Sequence, residues 1–136
     1  MATTGKMIFD MAIHLMDEQE ETTGATETAD TEEYMLRSLN ILNVLRHECY
    51  PWSDTFTGGA NGKRGICPAL ATLDDVIGLD DAVAQGALPY GLASRLLLGE
   101  NDTLADFFEQ KYLEVLGRLA NTAPAQFESI PLYYGF

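Results

Sequence analysis

The chain has 136 residues, 46% of them hydrophobic, and its 8 basic residues stand against 21 acidic ones for a net charge of −13. That length suits one domain with a core of its own. The charge tells against phosphate backbones, which need a basic patch, and against anionic membrane surfaces, so a charged partner is expected to be basic.

No run approaches the roughly 18 apolar residues that span a bilayer. The opening MATTGKMIFDMAIHLMDE has no continuous apolar stretch and no small-residue cleavage site of a secretory signal. With Cys49 and Cys67 outside any CxxC pair, an intracellular chain with reduced thiols is the expectation.

Residues 1–5 read as a frayed start. From Met7 to Asp17 the apolar residues Met7, Ile8, Met11, Ala12, Leu15 and Met16 recur at helical spacing and predict one buried stripe, with three methionines to fill irregular gaps. His14 falls off that stripe and is expected to face solvent. Residues 17–31, DEQEETTGATETADT, hold no apolar residue larger than alanine and read as an acidic linker.

A second helix starts at Asp30 or Thr31, where Asp30 and Glu33 have the spacing of a capping box. It carries Tyr34, Met35, Leu36, Leu39, Ile41, Leu42, Val44, Leu45 and Cys49 before stopping at Pro51. Apolar residues lie nearly all round its middle, which predicts burial on more than one side, in the core or against another subunit. Residues 51–72 form a long loop marked by Gly58, Gly59, Gly62 and Gly65, with Lys63 and Arg64 at its tip. ATLDDVIG, residues 71–78, predicts one helical turn.

The stretch Leu79 to Leu119 organises the rest. Asp80 and Asp81 sit where a helix start welcomes carboxylates. Pro89 should kink or split the helix at Leu88. Gly86, Ala87, Gly91 and Ala93 would let another helix approach closely. Gly99 suits a C-terminal cap, and Asn101-Asp102-Thr103 turns the chain into a helix with apolar Leu104, Phe107, Phe108, Tyr112, Val115, Leu116 and Leu119. Residues 122–136 break at Pro124 and Pro131 and hold Phe127, Tyr133, Tyr134 and Phe136. This apolar tail wants a surface to cover, on its own domain or on a neighbour. The expected fold is all-α: a small bundle of about four helices with a long Gly-rich loop and an extended C-terminal tail.

GGANGKRG lacks the first glycine and the Ser/Thr of a phosphate loop: Thr57 and Arg64 stand in their places. His47 and Cys49, two apart on a helix, point about 200° away from each other and would not face one zinc. Asp74-Asp75 and Asp80-Asp81 fit no calcium loop and read as capping carboxylates. No GxSxG, HExxH or Cys/His nucleophile pair appears. The expectation is a non-enzyme with no catalytic residues, no cofactor and no metal.

The stretch LDDAVAQGALPYGLASRLLLGENDTLADFFEQKYLEVL resembles the C-terminal half of tailed-phage head–tail connector, or adaptor, proteins. The residues that carry the resemblance are Asp80, Asp81, Pro89 to Ala93, Leu96 to Leu98, Asn101, Asp102, Leu104, Ala105, Phe107, Phe108 and Tyr112. The segment ILNVLRHECYPWSD, residues 41–54, is similar to that family's first long helix and its aromatic exit. Together they cover about half of the chain.

The resemblance implies a phage or prophage structural protein whose copies assemble as a ring below the portal, made in the bacterial host cytoplasm and then built into the virion. Its partners would be further copies and portal or tail proteins, with no sequence-specific nucleic acid and no membrane. Lys63, Arg64, Phe127, Tyr133, Tyr134 and Phe136 are the expected assembly surface. The rival reading is a small acidic helical regulator or inhibitor, DNA-mimic or chaperone-like, acting through protein–protein binding.

Overall fold

The computed structural model describes residues 2–18, 20–53 and 67–122, with only the backbone of 120–122. The described chain is helical: α1 (Gly5–Met16), α2 (Glu32–Cys49), a 3-10 turn (Tyr50–Trp52), α3 (Asp81–Gly86), α4 (Leu88–Leu97) and α5 (Asp102–Thr122). Among the described residues the only extended pairing is an antiparallel bridge between Thr4 and Val76.

The molecule is built round α4. Pro89 has no N–H to give, so it sits in the first turn of a helix, and the break falls at Ala87, one residue before the expected place. Within α4, Leu88, Pro89, Leu92, Ala93, Ser94, Leu96 and Leu97 are buried, and only Tyr90 and Arg95 reach partway to solvent. A helix apolar on every side must be enclosed, and α1, α2, α3 and α5 all pack on it.

Gly91 sets how closely they pack. A Cβ there would stand 3.0 Å from Leu45 Cδ2 and 3.0 Å from Tyr112 Cδ1, so α2 and α5 meet on the bare backbone of α4. At the far end Gly99 takes a positive φ of 92°. Asn101 then caps α5 by accepting from the Leu104 N–H at 3.1 Å.

The α1 stripe differs from expectation by one position. Ile8, Phe9, Ala12, Ile13 and Met16 are buried, while Met7 and Met11 are half-buried and Leu15 is 36% exposed. Two apolar stripes overlap in GKMIFDMAIHLM. The one with Phe9 and Ile13 puts more apolar area into the core. His14 faces solvent.

Nor is the start frayed. Thr3 is buried, and Thr4 caps α1 by accepting from the Met7 N–H. Ile77 N donates to the Thr3 carbonyl (2.8 Å) and Lys6 N to the Leu73 carbonyl (2.8 Å). The N-terminal arm thus binds one side of residues 67–80. α2 holds the other side. The Asn43 side chain exchanges two hydrogen bonds with the backbone of Leu70, and Arg46 donates to the carbonyls of Ile77 (2.7 Å) and Pro68. The helical turn expected at 71–78 is instead a turn closed by the Asp75 carboxylate, which accepts from the N–H groups of Thr72 and Ala71.

The Glu/Thr-rich segment is organised by side-chain hydrogen bonds in place of apolar contacts. The Glu20 carboxylate accepts from the hydroxyls and N–H groups of Thr22 and Thr23, which pull its pKa down to about 2. Thr26 donates to Asp10 (2.7 Å), and the fully buried Thr31 donates to the Thr26 carbonyl (2.6 Å). With its hydroxyl so engaged, Thr31 stands at the α2 N-cap without a side-chain cap bond, and the expected box on Asp30 is not formed.

α2 and α5 bury one side each. On α2 the buried set is Tyr34, Ser38, Leu42, Leu45, Arg46 and Cys49, while Leu36 is 74% and Val44 54% exposed. On α5, Ala105, Phe108, Tyr112 and Leu116 go inward, and Phe107, expected inside, is 51% exposed beside Phe108. The stripe at spacing three and four suffices to cover α4, and Phe107 lies 100° off it. Asp106, Gln110, Glu114 and Arg118 are exposed, as their positions in the helical period require.

Candidate functional site

A polar cluster crosses the interface of α2, α4 and α5. The last turn of α2 places Glu48 and Cys49 side by side, α4 supplies Arg95 and α5 supplies Tyr112. Arg95 grips Glu48 with both terminal nitrogens (3.0 and 3.1 Å) and lies 5.7 Å from the Tyr112 ring centre. The Tyr112 hydroxyl donates to Glu48 (3.0 Å), which leaves its oxygen to accept the Cys49 S–H at 3.1 Å. Glu109 adds a carboxylate 3.8 Å from Arg95.

The cluster is a brace and lacks the makings of a nucleophile. Cys49 is fully buried, and burial pushes its thiol up to about 11. Burial also drives Tyr112 well above the usual phenol range and Tyr34 up to about 12, helped in each case by a neighbouring carboxylate.

These directions set a pH dependence. The unfolded chain releases protons from cysteine near pH 8.5 and from tyrosine near pH 10, at about the ordinary values, while the folded chain keeps them. Between those values and the folded ones the unfolded state binds fewer protons, so stability is full below about pH 8 and falls as pH rises. The melting temperature is expected to drop steadily from pH 8.5 to 11. Iodoacetamide should leave Cys49 unlabelled at pH 8 until the chain is unfolded. A flat melting profile over that range, or fast native labelling, would refute this reading of the cluster.

Among the described residues, carboxylates outnumber cations at the surface. The six described cations are all engaged: Lys6 with Asp10 and Glu27, Arg37 with Glu33 and Glu100, Arg95 with Glu48 and Glu109, Lys111 and Arg118 both with Glu114, and Arg46 with the backbone carbonyls of Ile77 and Pro68. What remains uncompensated is carboxylate. Against it stand the exposed apolar side chains Leu36 and Val44 on α2, Leu98 at the end of α4, and Phe107 and Leu113 on α5. A cleft of 390 Å³ opens where α1 meets the α3–α4 corner, lined by Met11, His14, Leu15, Gln85, Pro89 and Tyr90.

The residues expected to form the assembly surface, Lys63, Arg64, Phe127, Tyr133, Tyr134 and Phe136, lie outside the described residues. The other candidates are placed. His47 is exposed and Cys49 is a core residue; both cysteines are free. Asp80 caps α3 by accepting from the Val83 N–H, and Asp81 accepts from the Thr3 hydroxyl, so both carboxylates have structural partners. Among the described residues no three His, Cys, Asp or Glu side chains converge on a metal position, and no helix is long and apolar enough to cross a membrane.

Sequence reasoning missed the Glu48–Arg95–Tyr112–Cys49 brace. Its hydrogen bonds join residues 47 to 64 positions apart, and no local spacing betrays them. Compared with protein-family models, characterised proteins and solved structures, the chain matches none.

Proposed function

We propose that the chain is a non-enzymatic structural subunit of a tailed phage, a head–tail connector that assembles as a ring below the portal. The observation that carries this reading is the set of large apolar side chains held outward on two separate helices, Leu36 and Val44 on α2 and Phe107 and Leu113 on α5. A ring built by rotation needs two different complementary patches on each copy, and a heterologous interface of that kind closes when the rotation fits. The matching run PYGLASRLLLGEND through LADFFEQKY supports the same reading by resemblance. The subunit would be made in the host cytoplasm and end in the virion, acting without cofactor and without sequence-specific nucleic-acid contacts.

The test is co-sedimentation with an assembled portal ring. The chain is expected to bind. The double substitution Leu36→Ser with Val44→Ser should weaken binding at least about tenfold, the loss of one anchor's worth of contact, while leaving the melting temperature in place. No portal binding by the unaltered chain, or equal binding by the double variant, sinks the connector reading.

The engagement of all six described cations favours a second reading, an acidic regulator that binds a basic protein. It expects a small stable species that competes with DNA for such a protein and ignores the portal.

A further inference from the structure

α5 turns a second face outward, away from α4. Every seventh residue of a helix returns to within about 20° of the same direction, so Thr103, Gln110 and Gly117 form one line along it. Phe107 and Glu114 flank that line on one side, Asp106 and Leu113 on the other. All seven are exposed, Phe107 at 51% and Leu113 at 56%.

Two features of this face have no cause among the described residues. Gly117 stands well inside a 21-residue helix, where only proline is a poorer helix former. A Cβ there would meet nothing within 4 Å, so no neighbour demands its absence, in contrast to Gly91. Phe107 is the other. Its ring is held outward, 5.6 Å from the Phe108 ring centre and with the Lys111 ammonium 5.8 Å from its own centre. A large apolar side chain already fixed in place loses little freedom on binding.

The two fit each other. Phe107 lies five residues before Tyr112 and Gly117 five after it, about 15 Å apart along the axis and equidistant from the level of Tyr112. Laid antiparallel on a second α5, with a two-fold axis at that level, each Phe107 comes opposite Gly117 of the other copy. Gln110 and Glu114, two residues either side of the same level, then face each other as amide donor and carboxylate acceptor. Leu113, one residue from the axis, meets its own counterpart. The opposed helices also set positive ends beside negative ones.

We infer that α5 pairs antiparallel with α5 of a second copy, Phe107 of each seated in the notch at Gly117 of the other. An isologous contact closes at two copies. The like charge of the two chains is screened beyond roughly 8 Å at physiological salt, and α5 carries Lys111 and Arg118 among its own carboxylates. One helix against one helix buries less than the roughly 1,600 Å² of a standard interface, so the pair is weak and comes apart on dilution. The inference does not rest on the connector reading: a ring that used Phe107 and Leu113 would have to open this pair first.

The test is sedimentation of the full chain without a portal, across a dilution series. The mass is expected to move from that of one copy to that of two. Gly117→Leu fills the notch and should weaken association at least about tenfold, as overfilling a packed contact does. Leucine is the better helix former at an open position, so the far-UV melt of the dilute chain should hold or rise, and loss of the pair could not be put down to unfolding. Adding Phe107→Ala to Gly117→Leu exchanges knob and notch and should regain part of the association. A chain that stays single up to about 1 mM, the weak end of specific association, overturns the inference. So does growth past two copies into a ring, an equally tight pair in Gly117→Leu, or a double variant no tighter than Gly117→Leu alone.

Discussion

Gly91→Val is expected to destabilise the fold by about 2–3 kcal/mol, the usual cost of forcing extra methyl groups into a packed interior. The first added carbon would already lie 3.0 Å from Leu45 Cδ2 and Tyr112 Cδ1, and 3.1 Å from Tyr112 Cε1. Leu45 can swing away at its tip. Tyr112 cannot: its ring is held by the α4 backbone, its hydroxyl by Glu48 and Cys49, and its face by Arg95. The substitution therefore strains the brace as well as the packing. For a chain of this size the melting temperature should fall by roughly 8–12 °C.

Gly91→Ala should cost less, because the better helix propensity of alanine, worth about 1 kcal/mol, offsets part of the clash. Gly86→Ala is the control: its Cβ would sit at an ordinary 3.9 Å from Val115, and stability should hold or rise. The distinguishing readout is Cys49. If Tyr112 is displaced as argued, Gly91→Val should speed thiol labelling at pH 8 by far more than a core substitution of comparable cost placed on another helix, such as Ile13→Ala. Equal labelling in the two variants would mean that Gly91 acts through general loosening alone.

The close approach at Gly91 was legible in the sequence, and so was most of the second half of the chain. There the signals are local: a proline that must lie in a first turn, a glycine past the last leucine, an asparagine before an apolar period. Each acts within four residues, and each fixes an element regardless of what packs on it. The α1 stripe was less legible because two overlapping stripes share one helix, and only the strapping of Thr3 and Lys6 to residues 73–77 decides which faces inward.

The Glu/Thr-rich segment was misleading for a different reason. Hydropathy sees no core residue there, yet Thr31 is fully buried because its hydroxyl donates to the Thr26 carbonyl. A polar side chain can be interior when its hydrogen bonds are met, and patterns of apolar spacing do not register that. The same blindness hid Arg46, which the sequence places on α2 as one more charged residue among apolar neighbours.

Arg46→Ala is expected to cost about 2–4 kcal/mol, the range for removing a buried charged donor and leaving its acceptors unmet. Arg46 is buried, and its described partners are backbone carbonyls, Ile77 at 2.7 Å and Pro68. Those two carbonyls belong to a segment with no regular structure of its own, so no neighbouring strand or helix can take over the bonds. Lysine should rescue only in part, since a single ammonium cannot span two acceptors as a planar guanidinium does. Methionine tests the packing contribution alone, because it keeps much of the volume and none of the bonds.

The loss should also be local before it is global. Residues 67–80 are held by Arg46 and Asn43 from α2 and by Thr3, Gly5 and Lys6 from the N-terminal arm. Without Arg46, hydrogen exchange should quicken first at the Leu70, Ile77 and Lys6 amides, while the α4 and α5 amides keep their protection as a separate cooperative unit. A uniform loss of protection across α4 and α5 would refute that separation.

The segment matters beyond its own stability. In sequence, Lys63 and Arg64 fall between Ser53, bonded to Asp80 at 2.9 Å, and Cys67, next to the Pro68 carbonyl that Arg46 holds. Arg46 therefore holds the described residues on the C-terminal side of that stretch. If Lys63 and Arg64 dock on a neighbouring subunit, Arg46→Ala should weaken portal binding at temperatures where the helices remain folded. Lys63→Ala with Arg64→Ala should then add little to it, since two changes acting through one loop are not additive.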